Sequence, residues 1–261
     1  MAVEQIRLTT DGTLEGLLTA VWQAFQSDLA VDSITVDDEQ QTAFFNADIP
    51  VATDLGQAEA MQARILDVLG PDAYDNVKKL YLAEDEQRGG IILRYLRYCL
   101  AQGRKSMSDL AEPAVADAEE LVRQVQREAR YIIQFVRFAD VGGGLFYSHI
   151  EPQANVIPLI MGHFATRFNI QPFVIHDSRH GLSGVFNTRR WWLVEGVPQS
   201  LGLKVAEEDL YARLWQRFFK TIAIPERRNP VVQRGFMPKR FWGDMCEQRL
   251  PYERRGDMPA P

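Results

Sequence analysis

Only two cysteines, Cys99 and Cys246, occur in 261 residues. Two thiols cannot build a disulfide framework, a four-cysteine zinc centre or a cysteine-ligated iron–sulfur cluster. Both lie in apolar or helical-looking settings, where a buried free thiol is the plain expectation. No run approaches 18 uninterrupted apolar residues, so no membrane-spanning helix is expected. The opening stretch MAVEQIRLTTDG has no basic region followed by an apolar run, so the expected location is cytoplasmic. Nucleotide and nucleophile signatures are missing too. There is no GxSxG elbow, and the glycine run in DVGGGLFY lacks both the GK[ST] end of a phosphate loop and the GxGxxG form of a dinucleotide loop. That run reads as a tight turn. No cofactor is expected, and no residue is assigned as a metal ligand.

Apolar residues at 46% and charged residues at 25% fit a globular chain with a real core. The net charge of −6 hides a split along the chain. Residues 1–122 carry 22 acidic and 9 basic side chains, a balance of −13; residues 211–261 carry 5 acidic and 11 basic, a balance of +6. An acidic whole with a basic end excludes indiscriminate nucleic-acid binding by the entire surface and leaves room for a local basic face.

Residues 13–26 place Leu14, Leu17, Leu18, Val21, Trp22 and Phe25 at helical spacing, with Asp11 or Thr13 as a cap. Residues 34–54 read as short strands and loops, and the helix after them is closed by Gly70–Pro71. Two further helices are expected around a break at Gly89–Gly90, then a connector or short helix over 106–117 with a bend before Pro113. The clearest local object is a helix over 118–138. Val122, Val125, Ala129, Ile132, Ile133 and Val136 form its packed stripe, and Arg123, Arg127, Arg130 and Arg137 another face. Beyond 139 the period changes to strands broken by turns, with a short helix in NVIPLIMGHFATRF; strand candidates are QPFVIHD, GLSGVFN and RRWWLVEG. A helix near 205–221 and another near 238–249 complete the reading.

Three of the four histidines, His163, His176 and His180, fall between 162 and 181 beside Asp177, Arg167 and Arg179. Their spacing matches no standard metal motif, and His176 and Asp177 point oppositely if both lie in one strand. Turn hydrogen bonding, substrate or anion contact and metal ligation all stay open, as does a catalytic histidine. The tail TIAIPERRNPVVQRGFMPKRFW interleaves Arg227, Arg228, Arg234, Lys239 and Arg240 with Phe236, Phe241 and Trp242. Arginines fork onto phosphate oxygens and aromatics stack on unpaired bases. The same residues also serve an internal role, as salt bridges to the acidic half and as core. Asn229 suits a cap or turn anchor before Pro230.

The pieces DGTLEGLLTAVWQAF, VRFADVGGGLFYSHIEPQANVIPLIMGHFATRFNIQPFVIHDSRHG and FFKTIAIPERRNPVVQRGFMPKRFW resemble a family described as a probable DNA metabolism protein, built around domain of unknown function 4130. The resemblance runs nearly end to end. It maps onto Arg137 and Phe138, onto Glu151, Pro152 and Asn155, and onto His163, Phe164, Arg167 and Phe168. It continues onto Asp177, Arg179 and Gly181, then Glu226, Arg227, Arg228 and Asn229. Where the family often carries HRF, this chain has VRF, with Val136 in the histidine's place. What the resemblance implies is a bacterial partner of a radical-SAM protein in DNA modification or repair. Any iron–sulfur chemistry would belong to that partner, since this chain has two cysteines.

The expected fold is α+β: a helix-rich N-terminal region (1–117) packed against an α+β region (118–261) with a C-terminal antiparallel sheet and terminal helices, the alternative being one continuous domain. The expected function is that of a DNA-associated accessory protein. Arg137, Arg167, Arg179, Arg227, Arg228 and Asn229 would contact phosphate or the partner, and Phe236 and Trp242 would stack or pack. The enzymatic alternative is a hydrolase or glycosylase on modified DNA or nucleotides. In it His163 shuttles a proton, Asp177 or Glu151 orients it or activates water, and the arginines hold phosphate. A third alternative is a non-catalytic adaptor whose basic tail clamps its own acidic half.

Overall fold

The computed structural model describes residues 6–27, 30–36, 47–196, 229–242 and 245. The chain divides into two compact units, Met1–Arg127 and Glu128–Pro261. It is α+β, as its sequence implies. Among the described residues no helix is long and apolar enough to cross a membrane.

In the first unit, strand β1 (Ile6–Thr10) is the middle of a three-stranded parallel sheet, between β2 (Val31–Val36) and β3 (Ala47–Pro50). The region is helix-rich, as expected, and its short strands form one parallel sheet, with helix α1 (Leu14–Gln26) between β1 and β2. Parallel neighbours require such a crossover. Thr13 caps α1 by accepting from the Gly16 amide at 2.9 Å, while Asp11 accepts from the Thr13 hydroxyl at 2.7 Å. Helices α2 (Leu55–Val68) and α3 (Pro71–Leu82) are separated by Gly70, whose φ of 88° lies in the left-handed region. Helix α4 (Arg88–Gln102) begins before Gly89–Gly90, so these glycines lie in its first turn and do not break the chain. A Cβ on Gly89 would sit 2.2 Å from the Ile34 carbonyl oxygen, so the glycine permits α4 to close onto β2. Met61, Ile65, Leu80, Ile92, Leu93, Tyr95, Leu96 and Cys99 fill the core.

Helix α5 (Pro113–Phe135) runs across the division between the units. Its start is earlier than expected because Pro113 occupies the first helical position, where its missing N–H costs nothing. Its end is also earlier, which takes Arg137 and Phe138 off the helical stripe. The Arg137 guanidinium turns back to the Phe135 and Val136 carbonyls at 3.2 and 3.3 Å.

The second unit holds a five-stranded sheet in the order β4 (Ala139–Asp140), β5 (Phe146–Ile150), β6 (Phe173–Asp177), β7 (Leu182–Phe186), β8 (Trp191–Glu195). It is mixed, which corrects the antiparallel expectation: β5 and β6 are parallel, and the other pairs antiparallel. The reason is helix α6 (Ile157–Arg167), an intervening crossover where a hairpin turn would have given antiparallel strands. Ile157, Ile160, Met161 and Phe164 face the sheet, and Gly184 makes room for Met161 and Ile157. Phe138, Phe164, Phe168 and Phe173 form an aromatic cluster, several pairs meeting edge to face. The short helix α7 (Pro230–Phe236) lies in the C-terminal segment; the helix expected near 205–221 is outside the described residues.

Candidate active site at the ends of β5 and β6

Strands β5 and β6 run side by side with Phe146 opposite Phe173, Tyr147 opposite Val174, and His149 opposite His176. Side chains alternate across a sheet, so His149 and His176 share one face, while Ser148, Ile150, Ile175 and Asp177 take the other. The two imidazoles have ring centroids 6.2 Å apart. They stand near the carboxyl ends of two parallel strands, the end at which open sheets with helical crossovers usually bind ligands.

Around His149 the hydrogen bonds form a chain. Its Nε2 is 2.9 Å from the Ser178 hydroxyl, which donates to Glu151 Oε1 at 3.1 Å; Glu151 is also 3.7 Å from Nε2 directly. A serine hydroxyl has one hydrogen to give. With that hydrogen on Glu151, His149 Nε2 must itself carry the proton that joins it to Ser178.

His176 is wired the opposite way. The buried Ser183 hydroxyl donates to the Gly196 carbonyl at 2.6 Å and lies 2.9 Å from His176 Nδ1. The proton between Ser183 and His176 therefore sits on Nδ1, which leaves Nε2 of the neutral ring as an acceptor. Burial pushes the His176 imidazole below its ordinary value of 6.5; the neighbouring His149 acts in the same direction, against the attraction of Asp177.

Asp177 is fully buried at the end of β6 and fully used. One oxygen accepts from the Arg179 and His180 amides at 3.0 and 3.2 Å, and the other meets His180 Nδ1 at 2.6 Å. This closes the β6–β7 turn and orients His180.

The expected site residues thus part company. Glu151 joins His149 and Ser178, and Asp177 joins His180 and the backbone of Arg179. His163 is exposed on the outer side of α6, edge-on to Phe164, and no hydrogen bond among the described residues links it to Asp177 or Glu151. Arg167 is exposed in the last turn of α6, its guanidinium 5.9 Å from the Phe168 ring centre. Asn229 caps α7 by accepting from the Val231 and Val232 amides, Phe236 is 77% exposed, and Trp242 Nε1 donates to the Met237 carbonyl. Arg227 and Arg228 lie outside the described residues. Among the described residues no group of three His, Cys, Asp or Glu is placed to hold a metal ion.

Two features escaped the sequence reading. The pairing of His149 with His176 was legible as a repeated spacing, since FYSHI and FVIHD match at Phe and His when aligned. The other is the turn into β8. Asn187 accepts from the Arg189 and Arg190 amides at 3.1 and 3.0 Å, and both arginines are exposed. Trp191 and Trp192 follow, 39% and 37% exposed, with the Arg190 guanidinium 5.9 Å from the Trp192 ring centre. By register Trp192 shares the sheet face of His149 and His176.

The profile of a domain of unknown function, DUF4130, matches residues 86–247, a span that includes β5 through β8. The chain belongs to this family. No curated protein matches it. Among solved structures, the pGpG-specific phosphodiesterase PggH from Vibrio cholerae aligns with 72% of this chain and 84% of its own, at 12% identity and a TM-score of 0.35. At that score the likeness says nothing about the activity of the DUF4130 chain.

Proposed function

We propose that this chain is a DNA-associated protein of DNA repair or modification, working beside a radical-SAM partner, and that its second unit provides the DNA contact. The observation that carries the DNA half is the exposed run Arg189–Arg190–Trp191–Trp192 at the turn into β8. Guanidinium groups next to exposed indoles are the elements of single-strand binding: the cations take phosphate oxygens and the rings stack on bases, each stack worth about 1–3 kcal/mol. Arg179 and Arg167 are exposed elsewhere in the same unit. The partner half rests on the family resemblance alone. An adaptor that spends its basic residues internally fits Arg240, which pairs with Glu128, and does not fit the arginines of the β8 turn.

The test is fluorescence anisotropy with fluorescein-labelled 20-mers, single-stranded and duplex, over a range of salt concentrations. It is run on the chain alone and with the protein that co-purifies from native cells. The expected result is salt-dependent binding that Trp192→Ala weakens by about 5- to 150-fold, the stacking energy above expressed as affinity. Absence of binding to both oligonucleotides at low salt, with and without the co-purifying protein, removes the reading.

A further inference from the structure

The two histidines of β5 and β6 occupy registered positions on one face and carry opposite proton assignments at Nε2. His149 Nε2 donates towards Ser178, whose own hydrogen goes to Glu151, whereas His176 Nε2 is the lone-pair nitrogen because Ser183 and Gly196 hold its Nδ1–H. A donor and an acceptor on adjacent rings, 6.2 Å between centroids, are what general acid–base chemistry across one reacting group requires. We infer that the β5–β6 pair is a two-histidine hydrolytic site for a nucleic-acid phosphodiester, with His176 as the base and His149 as the acid. The substrate class rests on the DNA-binding reading above.

The composition of the cluster argues against glycosidic chemistry by a carboxylate pair. Such enzymes flank the bond with two carboxyl groups, one of them an acid. Here Asp177 is buried and saturated by three donors, which leaves Glu151 as the carboxylate of the cluster among the described residues. An Nε2–H of His149 beside Glu151 suits an anionic phosphoryl group and a leaving alkoxide.

In the step itself, water attacks phosphorus and gives one proton to His176 Nε2 as its oxygen bonds to the phosphorus. The bond from phosphorus to the leaving deoxyribose oxygen breaks. That oxygen replaces Ser178 as the acceptor from protonated His149 and takes the proton. The products are a phosphomonoester and an alcohol, and solvent exchange returns one proton to His149 and removes one from His176. Around His176, His149 faces it from β5 and Asp177 follows it in β6; the registered residues of β7 and β8, Ser183 and Val194, carry no charge.

Two substrates separate the roles. Thymidine 5′-(p-nitrophenyl phosphate) has a leaving group that departs without an acid, whereas a labelled single-stranded oligodeoxynucleotide needs its leaving oxygen protonated. His176→Gln is expected to slow both by ~10²–10⁴-fold, and His149→Gln to slow oligonucleotide cleavage by a similar factor while sparing the nitrophenyl ester. The acid limb of the wild-type pH–rate profile should lie below the ordinary imidazole range, and His149→Gln should move it upward by removing a neighbouring positive charge. Nitrogen-15 NMR of the wild-type imidazoles reads the assignment without any variant: His176 should be the Nδ1–H form. An Nε2–H form of His176, wild-type rates in His176→Gln, or cleavage of neither substrate would overturn the inference. Oligonucleotide binding without cleavage leaves DNA binding standing and removes the hydrolytic site. Cleavage of the small ester without oligonucleotide binding does the reverse.

Discussion

Nδ1 of His180 lies 2.6 Å from Oδ2 of Asp177, a carboxylate with no exposed surface. A buried carboxylate is tolerated when its lone pairs are met, and here two backbone amides and one imidazole meet them. Asp177→Asn keeps an oxygen for the amides but turns an NH2 towards the His180 Nδ1–H, placing donor against donor. The expected loss is about 1–3 kcal/mol, read as a lower urea midpoint at unchanged slope. An unchanged midpoint would mean that the imidazole contact contributes nothing and that the turn stands on its backbone bonds.

Glu128 and Arg240, 112 residues apart, make a second buried anchor. One oxygen of Glu128 accepts from the Gln153 amide at 3.0 Å and the other meets the Arg240 guanidinium, while the Glu128 side chain is 5% exposed. Removing one partner of a buried pair strands the other charge, typically at 3–5 kcal/mol. Arg240 is itself about one-third exposed, so solvent screens part of this, and Arg240→Ala is expected to cost about 2–3 kcal/mol. Thermal or urea unfolding measures it. DNA affinity, corrected for the folded fraction, should not change, because Arg240 acts within the fold. A loss of affinity with no loss of stability would reassign it to the DNA surface.

Adjacent glycines in α4 give a contrast that does not depend on the proposed function. A Cβ at Gly89 would meet the Ile34 carbonyl oxygen at 2.2 Å, a backbone atom that cannot swing aside. At Gly90 the nearest atom is the movable Arg94 Nη1 at 3.4 Å. Gly89→Ala is expected to destabilise by about 3 kcal/mol or more, through overpacking of α4 on β2. Gly90→Ala should be neutral or stabilising by up to about 1 kcal/mol, because alanine loses less entropy in a helix. Equal effects in denaturant unfolding would contradict the close approach.

The misreading of this glycine pair shows what local sequence can and cannot say. Amphipathic spacing located α1 to within a residue at its start, and Gly70–Pro71 marked the end of α2, since both signals arise from neighbouring residues. A glycine that frees the backbone and a glycine that admits another strand look alike in sequence, and Gly89 is the second kind. The parallel pairing of β5 with β6 follows from the helix between them and is not visible in the residues of either strand alone. Register then shaped the candidate site. It set His149 beside His176 and placed Asp177 on the opposite face, whereas proximity in sequence had favoured His163, which α6 turns outward.

Cys99 offers a last check, on the first unit. Its thiol is buried in α4, and burial pushes it above the ordinary value of 9.0, with the nearby Ser106 and Tyr95 hydroxyls opposing the shift. Because the folded value is the higher one, the thiol is protonated in both states at neutral pH and contributes no pH dependence there. As pH rises past the ordinary value the unfolded chain ionises first, and stability falls until the folded value is passed. Cys99→Ala should flatten that alkaline decline between about pH 8 and 9.5, below the range in which the buried Tyr95, pushed up to about 12, begins to contribute from its ordinary 10.0. Iodoacetamide labelling read by peptide mass spectrometry gives a second measure: Cys99 should react only at the rate of unfolding, with a steep dependence on urea. Rapid labelling in the absence of denaturant would show that α4 opens locally, and the thiol would then lie outside the cooperative core.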